Sequence, residues 1–149
     1  MNIKFMQKAI EIAKKSGKDI PIGAVIVKNN EILAEFHNEK EQRKDATAHA
    51  EILAIQEASK KLSNWRLTDC DIYVTLEPCP MCTWAILQSR IKNIYFGSYD
   101  NVYGGFSTQP KLTQNANWEP LVKGGIMEEE CNKLLNEYFE KLRWIQNYT

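Results

Sequence analysis

A charge imbalance is missing from this chain. Lys and Arg number 19, Asp and Glu number 19, and the formal net charge over 149 residues is zero. Proteins that bind nucleic acids draw affinity from Lys and Arg on phosphates, so this balance weighs against such a partner and leaves room only for a small local basic patch. Long apolar runs are missing too, so no membrane span is expected. Met1-Asn-Ile-Lys-Phe5 leads straight into an amphipathic stretch rather than a signal peptide, and the expected location is cytoplasmic. There is no internal repeat and no low-complexity segment. Histidine occurs only twice and cysteine four times. In a chain without a secretion signal, Cys-x-x-Cys spacing beside a histidine reads as metal binding rather than disulfide pairing. The length suits a single domain over residues 1–149 with a core of its own.

Against those absences stands Thr75-Leu-Glu-Pro-Cys79-Pro-Met-Cys82. Ile72–Leu76 before it is short, apolar and β-branched, as a buried strand would be. Ala85–Arg90 after it reads as helix. Pro80 suits the first helical position, which makes Cys79 the N-cap and puts Cys82 in the first turn. There the helix dipole favours thiolates. The remaining ligand lies in Thr47-Ala-His49-Ala-Glu51. Zinc held by His49, Cys79 and Cys82 keeps a fourth position open, the mark of a catalytic rather than a structural site. Glu51 is then placed to move protons. One geometric objection arises: on an ideal helix, residues two apart project roughly 200° apart, so His49 and Glu51 would diverge unless the metal sits at the helix end.

His-x-Glu followed by Pro-Cys-x-x-Cys is the signature of zinc-dependent nucleobase deaminases. The resemblance is wider than the signature. Asp19–Val25, Thr47–Ile52, Asn64–Cys70, Tyr73–Cys82 and Ser89–Ile91 resemble the bacterial tRNA-specific adenosine deaminases, a branch of the cytidine deaminase-like superfamily, and the likeness runs over about residues 4–145. It implies an α/β three-layer sandwich, a five-stranded mixed sheet with helices on both faces. It also implies one Zn2+ per subunit, a homodimer whose site is completed near the interface, and a tRNA anticodon stem-loop as substrate. Carried over residue by residue, Glu51 is catalytic, His49, Cys79 and Cys82 hold the metal, and Asn38, Ile22, the Ala50 main chain and Asp100 contact substrate.

The order of elements agrees with an α/β sandwich. Phe5, Ala9, Ile12 and Ala13 mark a first helix over 4–15, ended by Ser16-Gly17. Gly23–Val27 and Ile32–Phe36 form a hairpin through Asn29-Asn30, which tolerate positive φ. Residues 39–45 read as a charged loop. Thr47 is the expected N-cap of a helix running to about Lys61. Lys92–Phe96 is a strand ended by Gly97 and parallel to Ile72–Leu76. Residues 98–118 read as a long irregular or partly helical loop. Glu119–Lys123 is a weak strand, and Glu128 opens a long amphipathic helix. Cys70 and Cys131 fall on apolar patterns and read as core.

Asn38 is equally readable as an ordinary turn residue. Lys40, Arg43 and Lys44 are either solvated surface or phosphate contacts. Tyr99, Tyr103, Phe106 and Trp118 either stack on bases or pack their own loop. Two departures from the family pattern bear on substrate: Thr83-Trp84, where small residues are usual, and Asn101 after the acidic residue, where a lysine is usual. A free purine base or nucleoside deaminase, such as a guanine deaminase, and a non-catalytic zinc-stabilised binding subunit remain alternatives.

Overall fold

In the computed structural model, which describes residues 1–108 and 110–148, five strands form one mixed sheet in the order β2-β1-β3-β4-β5. The elements run α1 (Ile3–Ala13), β1 (Gly23–Lys28), β2 (Glu31–His37), α2 (Lys40–Arg43), α3 (Ala50–Leu62), β3 (Cys70–Leu76), α4 (Pro80–Gln88), β4 (Asn93–Ser98), α5 (Pro110–Gln114), β5 (Leu121–Lys123) and α6 (Glu128–Tyr148). β1 pairs antiparallel with β2 and β3, while β3–β4 and β4–β5 are parallel. The β1–β2 turn is made by Asn29 and Asn30 at φ 50° and 62°, as their short polar side chains allow.

The central strands are apolar without interruption because both faces are covered. Ala24, Ile26, Ile72, Val74, Ile94 and Phe96 point to one side, against Ala50, Ala54 and Ala58 of α3 and Ile86 of α4. The alanines recur every fourth residue, so a smooth helix face lies close to the sheet. Val25, Val27, Tyr73 and Tyr95 point to the other side, against Phe5, Met6 and Ala9 of α1 and Cys131 of α6. The Tyr73 and Tyr95 rings stack at 4.9 Å, and the Asn2 N–H donates to the Tyr73 hydroxyl at 2.9 Å. This is the three-layer arrangement expected. Cys70 and Cys131 are buried free thiols, also as expected.

Local details depart from expectation in three places. Residues 40–43 are a helical turn, not a loop, because the buried Asp19 carboxylate accepts the Glu41 and Gln42 N–H groups at 2.6 and 3.2 Å. Thr47 does not cap α3: its N–H and hydroxyl both go to Asp45 Oδ1, at 2.8 and 2.7 Å, and His49 takes the cap position. Gly97 does not end β4 but lies inside it, where α6 crosses the strand. A Cβ there would overlap Cys131 Sγ and stand 2.8 Å from Thr75 O, so only glycine lets the helix dock. Gly97→Ala is expected to cost about 2 kcal/mol or more, through overpacking against rigid neighbours, read as a fall in the urea midpoint with an unchanged slope. An unchanged midpoint would mean that α6 shifts freely. The long loop does contain a short helix, α5; Gln109 beside it lies outside the described residues.

Candidate active site

Two helices begin at the same point in space. His49 is the N-cap of α3 and Cys79 the N-cap of α4, with Pro80 at the first helical position as expected. Neither cap side chain makes a capping hydrogen bond. Both turn instead toward a common centre, joined by Cys82 from the first turn of α4. His49 Nδ1 lies 3.7 Å from Cys79 Sγ and 3.4 Å from Cys82 Sγ, and the three donor atoms fall within 4.8 Å of one another. Around a tetrahedral zinc with bonds of about 2.0–2.3 Å, neighbouring donors stand about 3.5–3.8 Å apart, so the set fits that ion through His49 Nδ1. The positive ends of both helix dipoles face the centre and favour sulfur anions there.

The protons carry the same message. Cys79 is drawn down to about 4, first by the Cys82 thiol that donates to its sulfur and then by His49, against the effect of burial. Cys82, donating to Cys79 and buried, holds its proton far more tightly than an ordinary thiol. The hydrogen bond to Cys79 raises the pKa of His49. A thiolate gathering two protons from neighbours is a preformed cation site, since a zinc ion displaces those protons and binds sulfur anions and neutral imidazole.

The geometric objection to Glu51 falls away. His49 is extended, with φ −74° and ψ 150°, so its side chain does not follow the rotation of α3. Glu51, in the first turn, reaches the same cavity, where its carboxylate is 4% exposed and hydrogen-bonds with the Cys82 thiol. Burial pushes its pKa up from the usual carboxylate value.

The cavity is about 430 Å³, room for one bound base. Ile22, Asn38, Ala50 and Asp100 line it together with His49, Glu51 and Cys79, while Cys82 lies fully buried behind them. Asn38 is held from three sides: its N–H donates to Ile22 O, its Nδ2 to Ile20 O, and its Oδ1 accepts from Lys40 N.

Residues 1–98 match the family model for the cytidine and deoxycytidylate deaminase zinc-binding region. The chain belongs to this deaminase family. Among deaminases of the family, the tRNA-specific adenosine deaminase of Bacillus subtilis (strain 168) is 44% identical over 143 residues, covering 93% of this chain and 89% of its own. The corresponding protein of Aquifex aeolicus (strain VF5) is 42% identical, over 93% and 94%. A solved structure from studies of A-to-I editing by tRNA:A34 deaminases at the wobble position superposes with a TM-score of 0.81 at 37% identity, covering 90% of this chain and all of that one.

In this deaminase the features that set it apart from the family pattern sit away from the cavity floor. Trp84 does not line the cavity; it is 40% exposed on the outer face of α4. Thr83 is buried, and its hydroxyl donates to Pro78 O at 3.2 Å. Of the basic residues before α3, Lys40 lines the cavity, Arg43 is paired with Glu39 at 2.7 Å, and Lys44 ends α2 at φ 52°. Phe106 stacks on Phe96 in the core and Trp118 donates its indole N–H to Ile91 O, so both are packing residues. Tyr99 meets Phe96 edge-on. Tyr103 is exposed at the cavity mouth. The residue missed by sequence reading is Glu77, which lines the cavity yet is 1% exposed. Its signal was a lone carboxylate between an apolar strand and Pro78, where a solvated residue has no business.

Proposed function

We propose that this protein hydrolyses adenosine to inosine at the wobble position of a tRNA anticodon. The observation that carries the proposal is the base-sized cavity with the His49, Cys79 and Cys82 donors and the buried Glu51 carboxylate on one wall. The identity of 44% to an enzyme named for tRNA adenosine favours that substrate within the deaminases. A paired base could not enter so deep a site, whereas one turned out of a single-stranded loop can.

His49, Cys79 and Cys82 would hold zinc. When bound, the metal supplies a Lewis acid that makes water a competent nucleophile near neutral pH. Glu51 takes a proton from the attacking water and delivers one to N1 of the ring while oxygen bonds to C6. It then hands a proton to the departing amino group, so adenosine and water give inosine and ammonia. Asn38, already fixed on three sides, presents its amide to the purine edge. The Ala50 N–H, at the first position of α3, has no acceptor within its own helix and points an orphan donor at the base. Ile22 supplies an apolar face for the ring. Asp100 uses Oδ1 on its own loop, which leaves Oδ2 for a sugar hydroxyl. Lys40 stands at the mouth as the cation for phosphate. A cytoplasmic homodimer completes the proposal, with exposed Met81 and Trp84 on the outer face of α4 as the contact.

The test is inosine formation in an unmodified arginine-type anticodon stem-loop bearing a wobble adenosine, beside free guanine and free adenosine. The expected result is inosine in the stem-loop alone, with K½ rising steeply with salt at a slope of about 0.7 per phosphate contacted. Ammonia from a free purine, at a rate indifferent to salt and without inosine in the stem-loop, would replace this reading by a small-molecule purine deaminase.

A further inference from the structure

We infer that Glu77 is a positioning residue that seats the segment 100–107 as the outer wall of the cavity, and so sets how the substrate is held. The inference rests on the purine reading of the cavity given above. The carboxylate just past β3 is almost completely buried, and among the described residues no ion pair involves it. Every bond recorded to it comes from one loop. Oε1 accepts the Asp100 N–H at 3.1 Å, and Oε2 accepts the Phe106 and Ser107 N–H groups at 3.0 and 2.7 Å. The Ser107 hydroxyl lies 2.8 and 3.0 Å from the two oxygens. A buried carboxylate is tolerated when several backbone donors converge on it and satisfy its oxygens.

The rest of the segment is built around this anchor. Asp100 Oδ1 accepts the Val102 and Tyr103 N–H groups at 3.0 and 2.9 Å. The Gly104 N–H closes on Asp100 O, and the Gly105 N–H donates to Pro78 O at 2.8 Å. Both glycines are required by space: a Cβ on Gly104 would stand 2.5 Å from the Glu77 carboxyl carbon, and one on Gly105 would overlap Thr83 Oγ1. Glu77 thus joins two parts of the site. Its own chain continues through Pro78 to Cys79 in the floor, while its side chain holds the strip that brings Asp100 and Tyr103 to the mouth. Glu77 is itself not in the chemistry. It acts through Asp100 and Tyr103.

Glu77→Gln keeps the shape but replaces one acceptor oxygen by an NH2. Whichever way the amide turns, either the Asp100 N–H or the Phe106 and Ser107 pair meets a donor. The zinc-loaded variant is compared with wild type in zinc content, amide hydrogen exchange, and single-turnover deamination of the anticodon stem-loop. Exchange at Asp100, Phe106 and Ser107 is expected to speed up about tenfold or more, with β3 and α4 unchanged. K½ is expected to rise about tenfold while zinc content stays equal and the saturating rate holds within about threefold. Ser107→Ala, which removes only the hydroxyl, is expected to move K½ the same way by about two- to threefold, and it keeps the test open if the glutamine variant folds poorly. Loosened amides with an unchanged K½ would overturn the inference. So would zinc loss with a uniform fall in rate, which would make Glu77 a support of the metal turn alone. A wild-type protein inactive on the stem-loop would count instead against the proposed function, and the K½ comparison would pass to the free purine that it deaminates.

Discussion

Glu51→Ala is expected to leave the zinc content unchanged and to lower the rate of deamination by about 10²–10⁴-fold, the usual worth of a positioned acid–base group. The side chain is not among the metal-ligand set, so its loss leaves the His49, Cys79 and Cys82 donors in place. If every activity of the protein survived this change, the chain would be a zinc-stabilised binding subunit. A second expectation follows from the burial that raises the pKa of Glu51. Its folded-state pKa lies above the unfolded value, so the fold prefers the protonated form. The contribution is fully present below the unfolded pKa and is lost as pH rises through the folded one. At neutral pH the zinc-free wild type therefore lacks stability that it has in acid. Zinc-free Glu51→Gln is expected to melt higher than zinc-free wild type at pH 7, with the gap closing as pH falls toward 4.5. A gap that widened on acidification would reverse the sign of the burial argument.

Cys82→Ala is the complementary change and strikes the metal itself. One of the protein donors disappears from a binding free energy on the order of 10–16 kcal/mol, so affinity is expected to fall roughly 10²–10³-fold and turnover with it. The loss has a structural side. His49 and Cys79 are N-caps without a capping hydrogen bond, so the ion would tie the two helix starts together more firmly than the weak sulfur contacts between them, and its departure is expected to fray the starts of α3 and α4 together. Metal analysis of purified protein, joined to hydrogen exchange over residues 49–53 and 79–83, reads both effects. Cys82→Ser, with a weaker donor of similar size, serves if the alanine variant aggregates. Equal zinc in Glu51→Ala and Cys82→Ala would contradict the assignment of ligand and base.

Much of this was legible in the sequence, and the reasons are specific. The central strands β1, β3 and β4 announced themselves because both their faces are buried, and a run such as Ile72–Leu76 has no other easy home. Pro80 after Cys79 fixes the start of α4 from local chemistry alone. Tertiary partners were what local pattern could not supply. Asp19 organises α2 from 22 residues away, so a charged run became a helical turn. The Thr47 hydroxyl donates to Asp45 instead of capping α3, and His49 takes the cap position. Gly97 looks like punctuation in the local sequence because the helix that demands its small size comes much later in the chain. Glu77 is invisible to local pattern because its donors belong to the segment 100–107, whose shape no periodicity encodes. The divergence expected between His49 and Glu51 assumed that both were helical, and only one is.

The anchoring of segment 100–107 is made mostly by main-chain N–H groups. Such bonds are indifferent to most of the side chains that the segment carries, provided that Asp100, Ser107 and the two glycines remain. The rim of the cavity can therefore change its chemistry without losing its seat, while the floor, built from helix ends and their three donors, stays as it is. Descendants of this scaffold could acquire new preferences one rim residue at a time, each variant still folded and still able to hold zinc. Positions 101, 102 and 103 are where a directed library would find altered substrate range at the least risk to the catalyst.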